Sequence, residues 1–173
     1  EKPDIFCLSK GLTGGTMAMG VTSCTEEIFN VFLSEDRMKT FFHGHSFTAN
    51  PVACSASLAS MDLTEKKSTQ ESIKRIAEKH KQFAKRIKSH KSQVANKIQD
   101  VRLLGVILAI ELKTSGETSY FNSIRDSANA FFLGKGILLR SLGNVIYLVP
   151  PYCISDTDLD YIYDSILEFL NTL

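Results

Sequence analysis

A lysine at the end of a short apolar run is the first residue of this sequence that could carry out chemistry. In "DIFCLSKGLTGG", Lys10 follows the apolar segment 5–8, and Gly11, Gly14 and Gly15 come soon after it. A phosphate-binding P-loop has its glycines before the lysine, and the dinucleotide motif spaces its glycines differently, so this pattern fits neither. Two interpretations remain. Lys10 is either a rigidly held amine that forms a Schiff base with a carbonyl, or an ordinary surface lysine in a loop.

A second polar cluster lies in "FFHGHSFTANP" (41–51). His43 and His45 are two residues apart, but no carboxylate or cysteine stands nearby at ligand spacing, so we expect no metal. Ser46 and the backbone amides of this loop could hold a phosphate, because a helix predicted to start at Pro51 follows closely. A turn with capping hydroxyls explains the same residues equally well.

The third candidate is Arg140, which ends the apolar run "GILLR" directly before a predicted turn "SLGN". An arginine in this place is either solvated or presented to a carboxylate, which its planar guanidinium can bind through two hydrogen bonds. Residue type alone favours structural roles for Tyr147, Tyr152 and the two prolines at 150–151.

The elements that must position these residues alternate between strands and helices, which indicates an α/β fold. Four strand features are predicted: a buried strand over 5–8, a strand over 16–24, one strand over 102–112 bent at Gly105, and a strand pair made by 137–140 and 145–149. Five helices are predicted: 25–33, one starting at Pro51, one within 64–99, one over 122–136, and a last one capped by Ser155.

Composition narrows the possible partners. The chain has 173 residues and a net charge of +1, and no apolar run is long enough to cross a bilayer. The four cysteines form no C-x-x-C pair, and we expect them to be small core residues in a reducing compartment. Residues 65–100 contain 11 Lys or Arg and 4 Asp or Glu, and such a basic segment raises the hypothesis of nucleic-acid binding. No aromatic ladder accompanies them, so we expect a solvated helix face and neither nucleic acid nor membrane as a partner.

Four segments together resemble the class III, fold-type I aminotransferases, which use pyridoxal 5'-phosphate. The segments are "PDIFCLSKGLTGGTMAMG", "FFHGHSFTANPVACSASLASMDL", "VRLLGVILAIEL" and "GILLRSLGNVIYLVPPYCIS". The last resembles in particular the branch that acts in biotin synthesis, which implies amino transfer from S-adenosylmethionine to 8-amino-7-oxononanoate. Other ω-aminotransferases, acting on ornithine, lysine or 4-aminobutyrate, are the alternative. A non-catalytic folding or dimerisation fragment is the alternative from a different class.

The resemblance implies roles for residues of the first two segments. Lys10 falls on the catalytic lysine that forms a Schiff base with the cofactor and carries protons during transamination. Ser46, with His45 beside it, falls on the hydroxyl position that reaches the cofactor phosphate of the neighbouring subunit. Gly44 falls on the glycine whose backbone lies along the substrate.

In the last segment, the resemblance places Arg140 on the arginine that receives the substrate carboxylate and Tyr147 on a tyrosine close to it. Proline usually follows this arginine, whereas this sequence has Ser141. We therefore expect the turn that aims Arg140 to be looser than in the relatives.

The resemblance also implies an organisation in two domains. Residues 1–61 correspond to the end of the large cofactor domain, and 62–173 correspond to an α/β small C-terminal domain. The family implies a cytoplasmic homodimer with its active site at the subunit interface and small-molecule substrates. In the family, the acidic partner of the pyridine nitrogen, a phosphate loop and an aromatic that stacks on the ring precede the lysine. We therefore expect this chain to be a fragment that is inactive alone.

Overall fold

A computed structural model of the protein describes residues 2–89, 93–116 and 119–173. The chain divides into two compact units, Glu1–Lys66 and Lys67–Leu173. The division lies a few residues after the position at which the sequence analysis puts its domain boundary.

The first unit contains a hairpin of two antiparallel strands, β1 (Ile5–Ser9) and β2 (Gly20–Cys24), in which Ile5 is opposite Cys24 and Ser9 is opposite Gly20. Every residue of both strands is exposed. The prediction of a buried strand over 5–8 is therefore wrong for this unit, because no described element of the unit covers either face of the hairpin. The second strand is also shorter than the predicted 16–24.

Two helices complete the first unit. Helix α1 (Glu26–Phe32) begins after Thr25 and carries Glu26 and Glu27 in its first turn, where carboxylates interact favourably with the helix dipole. Helix α2 (Pro51–Glu65) has Pro51 in its first turn, as predicted, because proline lacks the N–H that this position leaves unbonded. The small residues Ala53 and Ser57 are the buried positions of α2.

The second unit begins with helix α3 (Lys67–Ser89), which buries one face and leaves the other to solvent. Its buried residues recur at helical spacing: Ile76, His80, Phe83, Ala84 and Ile87. A short helix α4 (Gln93–Lys97) follows, and Ile98 already belongs to a strand rather than to the predicted helix 64–99. Residues 90–92 of that prediction lie outside the described residues.

A three-stranded antiparallel sheet in the order β3–β4–β5 follows, made of Ile98–Leu104, Ile107–Leu112 and Val145–Leu148. The prediction of one bent strand over 102–112 is wrong. Gly105 has a left-handed φ of 56° and lies in the tight turn that joins β3 to β4, so that the apolar run folds back on itself.

The predicted pairing of 137–140 with 145–149 is also wrong. β5 pairs with β4, with Leu108 opposite Leu148 and Glu111 opposite Val145. Residues 137–140 form no strand. The turn after them is closed by one isolated bridge between Leu142 and Val145.

Two helices pack on this sheet, α5 (Ile124–Gly134) and α6 (Asp156–Thr172). Ser155 caps α6 as predicted: its Oγ accepts the Asp158 N–H at 3.0 Å and donates to Asp158 Oδ2 at 2.6 Å. The largest fully buried side chains include Leu108, Ile110 and Leu112 of β4, Ile146 of β5, Phe132 of α5, and Leu159, Ile166, Phe169 and Leu170 of α6. These residues form one core within the second unit.

The basic face of α3 is paired with acidic residues of α6. Arg75 forms an ion pair with Asp156, Lys79 Nζ lies 2.8 Å from Asp160 Oδ1, and Arg86 Nη2 lies 3.0 Å from Asp164 Oδ1. Such surface pairs contribute only about 0–1 kcal/mol each. They nevertheless neutralise part of the positive charge of α3 within the second unit, as expected of a helix that has a structural role.

In the part of the chain that the structure describes, no helix combines the length and the apolar character that crossing a membrane requires.

Candidate active site

Lys10 comes directly after strand β1 and begins a 3-10 helical turn, Lys10–Thr13, that packs against α2. Thr13 anchors this turn: it is buried, its Oγ1 donates to the Met17 carbonyl at 2.6 Å, and its own carbonyl accepts from Thr16 Oγ1 at 2.8 Å. On the strand side, Ser9 Oγ donates to the Met19 carbonyl at 3.1 Å. The backbone on both sides of the exposed Lys10 is therefore fixed, as strand-end placement predicts.

The glycines after Lys10 have distinct roles. Gly14 has φ 60°, and a Cβ there would lie 3.3 Å from Ser60 Oγ of α2, so glycine permits the close approach of turn and helix. A Cβ added at Gly11 would meet nothing within 4 Å. Gly11 instead lines a pocket of ≈ 250 Å³ with Leu12, Ser60 and Met61. The first unit thus leaves open space beside Gly11, the residue that follows the lysine.

Backbone strain marks both motifs of the first unit. Within the described residues, Lys10 (φ 49°) and Ala49 (φ 53°) are the non-glycine positions with positive φ. A non-glycine residue in this region costs of the order of 1–3 kcal/mol and is enriched at functional sites. The strain therefore supports the interpretation of Lys10 as a functional residue over that of an ordinary loop lysine.

The loop that contains Gly44, His45 and Ser46 is closed by its own hydrogen bonds. The His45 N–H donates to Thr48 Oγ1 at 3.0 Å, and the Phe47 N–H donates to His45 Nδ1 at 3.1 Å. Because Nδ1 accepts, a neutral His45 carries its proton on Nε2. The three candidate residues lie side by side on the surface of the first unit, all exposed.

The helix after this loop does not offer free amides to a phosphate. Asn50 Oδ1 accepts the N–H groups of Val52 at 2.9 Å and Ala53 at 3.4 Å, which caps α2. The amides of His45 and Phe47 are already bonded within the loop. Four amides of this segment are therefore already bonded within the first unit, which leaves fewer backbone donors for a phosphate. The Ser46 hydroxyl is exposed.

Arg140 and Tyr147 lie in the second unit and line the same open groove of ≈ 550 Å³. Most of the other lining residues are apolar: Ile137, Leu138, Leu139, Leu148, Val149, Pro150, Pro151, Ile154, Leu159 and Ile162. Asp158 and Tyr161 add polar groups to the lining, and Asp158 Oδ2 is already bonded to Ser155 Oγ. A groove with apolar walls and an exposed guanidinium suits an aliphatic chain that ends in a carboxylate.

Three contacts fix the turn that follows Arg140. The Ser141 N–H donates to Asn129 Oδ1 of α5 at 3.0 Å, and Asn144 Nδ2 donates to the Leu112 carbonyl at 2.6 Å. Gly143 has φ 58°, and a Cβ there would lie 2.9 Å from the carbonyl carbon of Ser119, with the carbonyl oxygen closer still. Proline in place of Ser141 could not donate to Asn129. The expected loosening of the turn is therefore offset by a hydrogen bond that only a residue with an N–H can make.

The charge of Arg140 is stabilised by a phenol. Its Nη2 donates to Tyr120 Oη at 3.0 Å. This hydrogen bond raises the pKa of Arg140 above its ordinary value. The same hydrogen bond lowers the pKa of the Tyr120 phenol. Sequence reasoning missed Tyr120, because it lies 20 positions before its partner in a segment without a motif.

A buried histidine of the second unit lies outside the lining of the groove. His80 of α3 contacts Tyr163 Oη through Nδ1 at 2.7 Å and the Val106 carbonyl through Nε2 at 3.0 Å. A carbonyl can only accept, so Nε2 carries the proton and Nδ1 accepts from Tyr163. Desolvation by burial lowers the pKa of His80, although the bond to Val106 acts in the opposite direction. His80 is a neutral structural residue that joins α3, α6 and the β3–β4 turn.

Metal ligands and cysteines add no further site. Among residues 2–89, 93–116 and 119–173, no three His, Cys, Asp or Glu side chains come together as metal ligands. The cysteines are free thiols, and Cys7, Cys24 and Cys153 are exposed while Cys54 is partly buried. The expectation that they are core residues is wrong, because three of them lie in strands or loops that no described element covers.

The chain matches the family Aminotransferase class-III over residues 1–170, and it belongs to that family. Its fold is that of the pyridoxal-phosphate transaminases. The chain superposes on the crystal structure of adenosylmethionine-8-amino-7-oxononanoate aminotransferase from Methanocaldococcus jannaschii with a TM-score of 0.78 at 36% identity. The match covers 99% of this chain and 39% of that one. An omega-transferase from Vibrio fluvialis has a TM-score of 0.79 at 23% identity over 99% of this chain and 40% of its own, a likeness that concerns the fold alone.

One curated relative carries the same name as the first of these structures, and another carries a bifunctional name that includes an aminotransferase. An adenosylmethionine-8-amino-7-oxononanoate aminotransferase from Synechococcus elongatus is 37% identical over 99% of this chain and 39% of its own length. A bifunctional dethiobiotin synthetase/7,8-diamino-pelargonic acid aminotransferase from Oryza sativa is 35% identical over 87% of this chain and 19% of its own length. The chain thus spans well under half the length of the curated relatives it matches.

Proposed function

We propose that the protein of which this chain is part transfers an amino group from S-adenosylmethionine to 8-amino-7-oxononanoate, the reaction of biotin synthesis that yields 7,8-diaminononanoate. The observation that carries the proposal is the apolar groove with Arg140 and Tyr147 in its lining. The acceptor is an aliphatic acid, and its carboxylate fits a guanidinium while its methylene groups fit the apolar walls. The names of the curated relatives support the same substrate.

The residues present fit part of a pyridoxal phosphate site. Lys10 offers an exposed amine on fixed backbone. The Ser46 hydroxyl is exposed and would be available to a phosphate oxygen of the cofactor in the neighbouring subunit. When bound, pyridoxal phosphate supplies an electron sink for the carbon that loses its proton. Residues 1–61 would then be the last part of a cofactor domain and 62–173 a small substrate-facing domain.

Each candidate side chain has a separate task in this proposal. Lys10 Nζ would hold the cofactor covalently, and its amine would act as the base that carries a proton from one carbon to another. Ser46, with His45 beside it, binds the cofactor phosphate of the neighbouring subunit in a homodimer. Gly44 leaves its backbone beside the substrate, and Arg140 and Tyr147 bind the substrate carboxylate.

Two experiments test the proposal. Borohydride reduction of the full-length holoenzyme followed by peptide mapping should place the pyridoxyl group on Lys10, and an adduct on another lysine would exclude the assigned role. Substrate profiling should then show S-adenosylmethionine as the amino donor. Activity with ornithine, lysine or 4-aminobutyrate instead would favour the ω-aminotransferase alternative.

We expect the 173-residue chain alone not to transaminate, because the candidate residues comprise no acidic partner for the pyridine nitrogen and only part of a phosphate site. The assay incubates the purified chain with pyridoxal phosphate, S-adenosylmethionine and 8-amino-7-oxononanoate. Turnover at an ordinary aminotransferase rate, in a sample shown by mass to contain no longer chain, would contradict this. A full-length protein that never gains visible absorption with the cofactor would favour the non-catalytic alternative. A cytoplasmic location is proposed on the free cysteines.

A further inference from the structure

Arg140 is held by a side chain that no motif predicts. Tyr120 Oη accepts a hydrogen bond from Arg140 Nη2 at 3.0 Å, and both residues are exposed. An exposed arginine without such a partner samples many rotamers, and ordering it on binding lowers affinity. A hydrogen bond to one edge of the guanidinium reduces that cost before any ligand arrives.

Tyr120 is itself fixed from the other side. The Arg125 guanidinium lies over its ring, 5.1 Å from the centroid, and Arg125 Nε donates to Asp126 Oδ1 at 2.9 Å. The neighbouring Phe121 ring meets the Tyr120 ring edge-on, with 5.4 Å between centroids. A cation over the ring face and an aromatic at its edge both restrict rotation of the phenol.

The backbone that carries Tyr120 packs against the turn that follows Arg140. Ser119 abuts Gly143 so closely that the turn has no room for a Cβ, and the Ser119 carbonyl accepts the Asn122 N–H at 3.2 Å. Asn122 Nδ2 in turn donates to Thr114 Oγ1 at 2.9 Å. The hydroxyl and the guanidinium therefore meet across two segments that pack directly against each other.

We propose that Tyr120 is a positioning residue for Arg140 that orients the guanidinium toward a carboxylate in the apolar groove; the role of that carboxylate as substrate rests on the proposed function. A guanidinium has five N–H groups, and the phenol occupies one, so two parallel N–H groups remain for a bidentate contact. Among the described residues, no carboxylate forms an ion pair with Arg140 that would compete for it.

The first measurement needs no ligand. The 173-residue chain has six arginines, so an arginine-labelled sample gives a resolved NMR spectrum in which Arg140 Nε is assigned by its loss in Arg140→Lys. Tyr120→Phe keeps the ring under Arg125 and removes only the hydroxyl. We expect faster rotation about the Arg140 Nε–Cζ bond in this variant. Tyr152→Phe, another exposed tyrosine, is the matched control and should leave the Arg140 signal unchanged.

The second measurement uses heptanoate as a probe, with 1-heptanol as its uncharged counterpart. In the unaltered chain heptanoate should bind with Arg140-dependent affinity, and Tyr120→Phe should weaken it about two- to tenfold, the usual effect of one hydrogen bond. Binding of 1-heptanol should not change. Arg125→Gln keeps the hydroxyl but removes the cation over the ring, and should loosen Arg140 less than Tyr120→Phe does. Melting temperatures by circular dichroism check that each variant is folded.

Unchanged Arg140 rotation in a folded Tyr120→Phe chain would overturn the positioning role, whether or not heptanoate binds. Unchanged heptanoate affinity, in a chain where Arg140→Lys weakens it, would also overturn it. If the unaltered chain shows no Arg140-dependent binding while Tyr120→Phe still frees Arg140, the positioning role stands and the substrate assignment of the groove fails.

Discussion

The turn at Gly143 offers a test of whether its contact with Ser119 constrains the backbone that follows Arg140. In Gly143→Ala the new residue must keep φ 58°, which costs an L-residue roughly 1–2 kcal/mol. Its Cβ would also clash with the Ser119 backbone, and overpacking of this kind costs typically 1–3 kcal/mol more. The sum is about 2–5 kcal/mol. We expect the second unit to lose a large share of its stability.

Gly105→Ala is the matched control, because Gly105 has φ 56° and an added Cβ there would meet nothing within 4 Å. It should therefore show only the backbone cost of about 1–2 kcal/mol. Urea unfolding of each chain, followed by circular dichroism, gives the two changes in unfolding free energy. If Gly143→Ala and Gly105→Ala are equally destabilised, the contact with Ser119 does not constrain the turn, and the argument for a fixed Arg140 backbone fails.

Three further predictions concern the second unit. Arg140→Ala in the full-length enzyme should raise the KM for 8-amino-7-oxononanoate about ten- to a hundredfold, as loss of a hydrogen bond to a charged group does, and unchanged kinetics would remove Arg140 from the site. Burial lowers the pKa of His80 from its ordinary 6.5, so below that pH the unfolded chain binds a proton more readily than the folded chain. The free energy of unfolding should therefore fall as the pH drops below 6.5. The His80→Gln variant should lose this pH dependence, whereas His43→Gln, at an exposed histidine, should keep it. Ser141→Pro should destabilise the chain by about 1 kcal/mol, because Asn129 Oδ1 loses its donor, and a higher midpoint in urea would show that the stiffer proline outweighs the hydrogen bond.

Local features of the sequence predicted the starts of two helices well. Pro51 and Ser155 mark the starts of α2 and α6 because their effect operates within one helical turn: proline lacks an N–H, and the serine hydroxyl accepts one. The strand-end position of Lys10 can likewise be predicted from the residues next to it. Sequence reasoning therefore locates the candidate lysine on its element, although its left-handed backbone was not anticipated for a residue other than glycine.

Pairing between distant segments was predicted poorly, since it depends on contacts that the local pattern does not contain. The run 102–112 is apolar throughout and looks like one buried strand until Gly105 reverses it. Residues 137–140 are as apolar as a strand, yet β5 pairs with β4 instead. The apolar content of 5–8 predicted burial, but burial requires a second layer, and the described first unit has none over the hairpin.

The candidate groove shows the same limit. Arg140 stood out because it ends an apolar run, whereas Tyr120 and Asn129 support it from positions with no sequence signal of their own. Both contacts arise only when the segment before α5 and α5 itself pack beside the turn. A tyrosine or an asparagine at an arbitrary spacing becomes meaningful only once the tertiary structure brings it to its partner.

The left-handed backbone at Lys10 sets stability and activity against each other at a single position. A glycine there would adopt φ 49° without the strain that a lysine bears, so Lys10→Gly is expected to leave the first unit as stable or more stable. The amine that the proposed chemistry needs would be gone. Selection for stability alone would therefore replace this residue, and its retention would reflect selection for activity. Variants recovered from a screen for thermal tolerance should be sequenced at this codon first, because the easiest gain in stability there is also a complete loss of the reactive group.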